Sequence, residues 1–381
     1  MQSILFISLM NGAAWGGSEE IWYQAAAFAS RRGVRTACAV YHWPAKEARM
    51  NELKKAGCEI IYLPNKGRTK RNIPEKIQYK YTKKIALPNA IDSLPTRDYD
   101  FVVVNQGYFE VTMPVWKKFI NKLDRFALVF HNYSENETFS TEKSVILQQW
   151  MDRAVINLYD SSRIHQVLEK KLNRPFPNSE VIYNPNTFPP PDEITAYPPL
   201  TDGQYLWVML AALDTGRKAQ NCLIKSLSSS KWKERNWILK LYGDGDDREM
   251  LSSLIRENGL SEKVFLEGHS SNVRQVLNDA HLVLQMTHID SMPVSVVEAM
   301  SMSRPVVASR IGDMPLWIKE GINGWISPDA SVEQIDITLE KAWQQRENWS
   351  EMGKHSFNTF KEKYPPVPEE YFLNLIGCNI S

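Results

Sequence analysis

A chain of 381 residues exceeds one ordinary core and fits two domains. At 43% hydrophobic and 23% charged residues, its composition is that of a soluble folded protein and excludes a disordered chain. Forty-five basic side chains against 44 acidic ones leave no global field for nucleic acid, and no apolar run reaches the roughly 18 residues that a spanning helix needs.

Short apolar runs alternate with amphipathic stretches almost throughout, the pattern of parallel sheets covered on both faces. The opening run Met1–Ile7 lacks a basic region and stops early, so it is expected to be a strand rather than a signal peptide. Ile4–Leu9 reads as the first strand, and Ser18–Arg32 as a helix with Ile21, Trp22, Ala25, Phe28 and Ala29 on one face, stopped by Gly33. Strands follow at Arg35–Tyr41, Glu59–Leu63, Phe101–Asn105, Ala127–His131 and Ala154–Asn157. Six prolines between Asn184 and Tyr205 exclude a helix or central strand there and suggest a linker.

Alternation then restarts, with strands at Tyr205–Leu210, Trp237–Tyr242, Val264–Leu266, Leu282–Gln285, Pro305–Ala308 and Gly324–Ile326. Helices are read at Lys218–Ser228, Arg248–Asn258, Val294–Ser303 and Ser331–Gln345. The expected fold class is therefore α/β, with two Rossmann-like domains. Residues 1–190 form the first, 191–204 the linker and 205–354 the second, while about 355–381 pack back on the first. Such folds bind ligands beyond the carboxyl ends of their strands, so a cleft between the domains is expected to hold the site. Cys38, Cys58, Cys222 and Cys378 lack metal-ligand spacing and read as reduced thiols.

The densest chemistry lies in Thr287–Met300. A strand ends near Gln285, a polar loop follows and a helix opens near Val294. Amides at such an opening lack intrahelical partners and carry the positive end of the dipole, so Met292, Pro293 and Val294 could cradle a phosphate. Glu298 lies one turn into the helix between Val297 and Ala299. A carboxylate in apolar company needs a partner; a ribose diol would serve, and so would a neighbouring side chain.

The run Asp290-Ser-Met-Pro-Val-Ser-Val-Val-Glu298-Ala-Met-Ser-Met-Ser-Arg-Pro305-Val-Val-Ala308 resembles the signature of the family 4 retaining glycosyltransferases, which share the GT-B architecture of two Rossmann-like domains. The resemblance implies that Glu298 binds the donor ribose and that Asp290 lies beside the transferred sugar, where the family usually has glutamate. Ser301-Met302-Ser303-Arg304 replaces the more usual Ala-x-Gly stretch. Arg310–Pro315 is similar to a glycine-rich turn of the family.

Other landmarks fall in register with that resemblance. Gly16-Gly17-Ser18-Glu19 follows the first strand, where the family meets donor phosphate and acceptor; alone it is equally a tight turn, with Ser18 able to cap the helix. His131 stands at a strand end where the family carries a histidine near the sugar, and Asn132 beside it is assigned to the acceptor side together with Gly17, Ser18 and Glu19. Tyr242-Gly243-Asp244-Gly245 matches a Gly-x-Gly turn, and Val181–Asn186 a strand ending before the linker. The family's Gly-Arg-Leu and Lys-Gly become Ala211-Ala212-Leu213 and Lys218-Ala219. Lys218 is thus kept for the diphosphate, while Ala212 takes the arginine's place and Arg217 is the adjacent substitute. An arginine's bidentate grip is not freely replaced.

These residues imply a retaining glycosyltransferase that moves sugar from a nucleoside-diphosphate sugar to an acceptor hydroxyl. Asp290, His131 and Lys218 are the expected catalytic set; Glu298, Lys218, Arg217, Met292, Pro293, Val294, Gly243, Gly16 and Gly17 are expected to hold the donor. No cofactor and no metal are expected, the acidic pair Asp244 and Asp246 being better explained by its turn. Saccharide, lipid-linked or other hydroxyl acceptors fit, and nucleic acid does not. The basic stretch Lys66–Lys84 reads first as a solvated loop, with a membrane surface or acidic acceptor as its alternative. The expected setting is cytoplasmic, or peripheral at the inner membrane face. An epimerase, a sugar phosphorylase and a non-catalytic nucleotide-sugar-binding subunit share the architecture. A cofactor-lysine motif for the phosphorylase is missing, whereas Ala212 and Asp290 favour the non-catalytic subunit.

Overall fold

The computed structural model describes residues 1–12, 14–65, 73–106, 109–131 and 138–378. Asn132 and residues 66–72 of the basic stretch lie outside the described residues. The chain divides into two compact units, Met1–Pro185 with Val367–Ser381, and Asn186–Pro366.

The first unit is built on β1 (Ser3–Ser8), β2 (Arg35–Tyr41), β3 (Glu59–Leu63), β4 (Phe101–Gln106), β5 (Phe126–Phe130), β6 (Ile156–Tyr159) and β7 (Ser179–Val181). All neighbours are parallel, in the order β3-β2-β1-β4-β5-β6-β7. Successive side chains of β1 point to opposite faces and both faces are covered, which is why its run is apolar without alternation. Ile4 and Phe6 pack with the helix Glu20–Arg31, while Leu5 and Ile7 join Val102, Val104, Leu128 and Trp116 on the other side. The returning helix Pro368–Leu375 completes the first of these faces through Phe372 and Leu373, together with Ile376 just beyond it.

The second unit is built on β8 (Tyr205–Leu210), β9 (Trp237–Tyr242), β10 (Val264–Gly268), β11 (Leu282–Gln285), β12 (Val306–Ser309) and β13 (Gly324–Ser327). Its order, β10-β9-β8-β11-β12-β13, is again wholly parallel. Trp207, Trp232, Trp237, Trp343 and Trp349 fill one face, with Trp207 and Trp237 stacked at 5.0 Å. Aromatic pairs in this geometry add stability beyond their buried area.

Two expectations about the boundaries change. The helix Trp349–Lys363 remains with the second unit, so the returning segment begins at Val367 rather than near residue 355. Gly353 shows why: a Cβ there would lie 2.1 Å from the carbonyl oxygen of Ser303, so only glycine lets the helix press onto that turn. The proline-rich stretch belongs to the second unit, not to a free linker. Thr195 donates its amide to Ser303 Oγ at 3.0 Å, and Tyr197 donates its hydroxyl to the His281 carbonyl at 3.1 Å. Arg304, wholly buried, donates to the carbonyls of Ala196, Leu277 and Asn278 at 2.8–2.9 Å. Burial pulls the Arg304 guanidinium down to about 10. The four cysteines are free, and Cys38, Cys58 and Cys378 are buried.

Candidate functional site

In the second unit, crossovers run one way from β8 through β9 to β10 and then reverse to β11. Ligands of such sheets bind where the order reverses, beyond the carboxyl ends of the strands. Lys218 follows β8 and Asp290 follows β11, so both stand at that point.

The loop after β11 is tied down by backbone and hydroxyl bonds. Thr287 Oγ1 and the His288 amide each donate to the Arg217 carbonyl at 2.7 Å, and the Thr287 amide donates to Ser309 Oγ at 3.1 Å. This brings Lys218 Nζ into an ion pair with Asp290 Oδ2, the two side chains being 16% and 12% exposed. Asp290 Oδ1 accepts from the Ser291 amide at 3.1 Å. The following loop closes from the other side: Gly312 has φ +55, and a Cβ on it would lie 1.7 Å from the Ser291 oxygen. That position requires glycine.

The helix Val294–Ser301 begins after Pro293, and no side chain caps it. Met292 and Glu298 are buried, as is the Pro293 turn. The Glu298 partner is internal: the Thr187 amide and hydroxyl donate to its Oε1 at 2.7 and 2.5 Å. That partner is a threonine 111 positions away in sequence, and the bond is a hydrogen bond rather than a salt bridge. Nothing in the proline-rich sequence around Thr187 signals this role.

Arg217 points to the acid before it. Its Nε donates to Asp214 Oδ2 at 2.7 Å, and both side chains are exposed. Ala212 offers only its carbonyl, which accepts from the buried Gln220 amide at 2.7 Å. Gly243 has φ +141, and a Cβ there would lie 2.0 Å from the Ala211 oxygen; its neighbour Gly245 presses likewise on Leu213. These glycines are demanded by backbone packing. Ala219 and Ser303, at positions where the resembled family has glycine, keep left-handed backbones with φ 47 and φ 58.

The first unit places its expected residues differently. Its order reverses between β1 and β4, and that point is filled by a buried polar network. Glu19 is wholly buried: Oε2 meets Lys46 Nζ at 2.7 Å, while Oε1 accepts from Ser8 Oγ at 2.7 Å and from Asn105 Nδ2 at 3.4 Å. Its expected place on an acceptor surface is corrected, because the carboxylate is spent on the buried lysine. Asn105 Nδ2 also donates to the Ser18 carbonyl at 3.1 Å, which fixes its amide and turns Oδ1 toward His131 Nε2 at 2.7 Å. His131 Nδ1 meets Asp160 Oδ2 at 3.0 Å, and Asp160 Oδ2 also accepts from Asn184 Nδ2 at 3.3 Å.

Both ring nitrogens of the buried His131 are thus hydrogen-bonded inside the unit. Ser18 does not cap the helix either; a 3-10 turn, Gly17–Glu19, intervenes, and Ser18 Oγ meets Met10 Sδ at 3.4 Å. Gly16 is extended and has room for a side chain. Lys46, Asn105, Asp160 and Thr187 were not foreseen. A lone lysine after Pro44 and an asparagine ending an apolar strand give little signal, since partners so far apart in sequence meet only in the fold.

Residues 192–358 match the family model of glycosyl transferases group 1. Among curated proteins, the chain is 26% identical over 139 residues to the poly(ribitol-phosphate) alpha-N-acetylglucosaminyltransferase of Staphylococcus aureus, covering 36% of this chain and 28% of that protein. It is 26% identical over 161 residues to the lipopolysaccharide 1,6-galactosyltransferase of Salmonella typhimurium, covering 41% and 43% respectively. The chain thus spans less than half the length of these relatives. Among solved structures, Anabaena HepE in complex with UDP matches with TM-score 0.72 at 15% identity over 98% of each chain. A variant of S. aureus TarM in complex with Fondaparinux, alpha-GlcNAc-glycerol and UDP matches with TM-score 0.73 at 13% identity, covering 99% of this chain and 100% of that one. These likenesses establish the two-domain α/β fold of GT-B type.

Proposed function

We propose that this protein is a glycosyltransferase that moves sugar from a nucleoside-diphosphate sugar to an acceptor hydroxyl in glycan biosynthesis. The observation that carries the reading is the Lys218–Asp290 pair set at the switch point of the second unit, beside the uncapped start of the helix Val294–Ser301. A lysine beside free helix amides suits a diphosphate and the charge it gains as the sugar departs. The group 1 match over residues 192–358 supports the same reading, as do relatives named for transfer to poly(ribitol-phosphate) and lipopolysaccharide.

In this proposal Lys218 exchanges Asp290 for the diphosphate, and the released Asp290 borders the sugar. Glu298 keeps Thr187 in place while meeting the ribose. Met292, Pro293 and Val294 line the phosphate side, with Arg217 able to swing from Asp214. Gly16, Gly17 and Ser18 remain the candidate acceptor side. In this proposal the transfer retains anomeric configuration, as the family 4 resemblance implies, needs neither metal nor cofactor, the acidic pair Asp244 and Asp246 belonging to a turn, and takes place in the cytoplasm on a saccharide or lipid-linked acceptor.

The test is incubation with a panel of nucleoside-diphosphate sugars, with and without saccharide acceptors, reading release of nucleoside diphosphate and the anomer formed. Retained-anomer product is expected. Sugar interconversion without an acceptor would identify an epimerase. Calorimetric binding with no turnover across the panel would favour the non-catalytic subunit, a reading that the carboxylate held by Lys218 and the alanine at 212 keep open. If no nucleotide sugar binds at all, the proposal fails.

A further inference from the structure

The first unit carries a helical rod that nothing above uses: helix Ile73–Tyr81, a π-helical stretch Thr82–Ala86 and helix Leu87–Asp92. Its far end is anchored, with Leu87 and Ile91 buried in the core. Its near end is not: no described side chain from Glu75 to Tyr81 is buried. Ile77, Tyr81 and Ile85 are 63%, 57% and 48% exposed, the first two being the most exposed large apolar residues among the described residues. No other helix among the described residues carries three such side chains.

Their spacing puts them on one stripe. Four residues overshoot a turn of α-helix by about 40°, so Tyr81 sits slightly past Ile77. A π-helical turn takes in more residues, so the step from Tyr81 to Ile85 falls short of a full turn and swings the stripe back. Along its flank stand Lys76, Lys80 and Lys84, all exposed and none in an ion pair among the described residues, with exposed Lys83 farther round the rod and Glu75 the single acid nearby.

We propose that this rod is an in-plane docking helix for an anionic lipid surface. Lysines flanking an exposed apolar stripe complement a negatively charged bilayer, whose headgroups take the cations while the boundary with the acyl chains takes the isoleucines and the tyrosine ring. A soluble polyanion would use the lysines but gain nothing from Ile77 or Ile85. The apolar stripe therefore selects lipid over polymer, and the inference stands independently of any glycosyl transfer.

The experiment is co-sedimentation of the full chain with vesicles of phosphatidylcholine alone or with one third phosphatidylglycerol. Binding to the anionic vesicles only is expected, weakening with salt. Each lysine near the surface contributes about fivefold in affinity, so Lys80→Gln with Lys84→Gln should weaken binding roughly 25-fold. Ile77→Ser with Ile85→Ser should weaken it at least about tenfold, as apolar anchors do. No binding to anionic vesicles overturns the proposal. So does binding that the isoleucine variant retains in full and soluble polyphosphate abolishes, which is the signature of a polyanion site. The two variants alter separate exposed positions, so a folding defect in one leaves the other as an independent reading.

Discussion

The two sheets reverse their strand order at equivalent places, after β1 in one unit and after β8 in the other, yet they fill that place in opposite ways. In the first unit Glu19, Lys46, Asn105, His131 and Asp160 bond one another out of reach of water. In the second, Lys218 and Arg217 each face a nearby carboxylate while remaining partly or well exposed. A buried pair cannot trade partners without stranding a charge in a low dielectric, whereas a partly exposed pair can. Similar residue types at the same topological position thus make a buried scaffold in the first unit and leave a partly exposed pair in the second, the pair to which the proposed function assigns the diphosphate.

The most severe way to break this comparison is Glu19→Ala, which leaves Lys46 buried without its carboxylate. A loss of about 3–5 kcal/mol is expected in the unfolding transition of the first unit, read by denaturant titration. A loss below about 1 kcal/mol would mean that water relieves the lysine and the scaffold reading is wrong. Lys218→Ala should do the reverse. Its stability cost is small, but nucleoside-diphosphate affinity should drop by about 1.5–3 kcal/mol in calorimetry, the worth of a charged hydrogen bond. Unchanged affinity would place the anion site elsewhere.

A third test uses pH. Burial lowers the His281 pKa, and its Nδ1 accepts from the Leu206 amide at 3.0 Å, so the ring is held neutral. The unfolded chain then binds the extra proton first. The second unit keeps this stability above about pH 6.5 and loses it progressively as pH falls toward the lowered folded value. Thermal melts between neutral and mildly acidic pH should show the loss, and His281→Gln should flatten it. The smallest expected effect is Ala219→Gly. Relieving a left-handed alanine should raise stability by up to about 1 kcal/mol, and a lower melting temperature would show that the buried methyl outweighs the backbone strain.

The sheets were legible in sequence because most of their central strands are apolar on both sides. Arg35–Tyr41, Glu59–Leu63, Tyr205–Leu210, Trp237–Tyr242 and Leu282–Gln285 coincide with β2, β3, β8, β9 and β11 residue for residue. Several helices of the first unit escaped, among them Glu47–Lys55, Thr141–Arg153 and Ser162–Leu172. Lys218 and Asp290 were singled out through the resemblance of their motifs to the family 4 signature, and each follows a strand of the second unit. Glu19 was located in the chain but expected on the acceptor side, since sequence gives no hint that Lys46 will reach it. The proline-rich stretch misled for a related reason. Proline forbids regular structure there but says nothing about Arg304, whose guanidinium straps that segment to its unit.

The helix Pro368–Leu375 has a consequence for how the molecule is made. Because it supplies the last part of the core beneath β1, a nascent first unit stays incomplete while roughly 180 further residues are translated, on the order of ten to forty seconds at ordinary ribosome speeds. The uninterrupted second unit is translated in full within that interval. The apolar face around Ile4, Phe6 and Trp22 must wait uncovered, which makes chaperone demand during synthesis a property of the late arrival of Phe372.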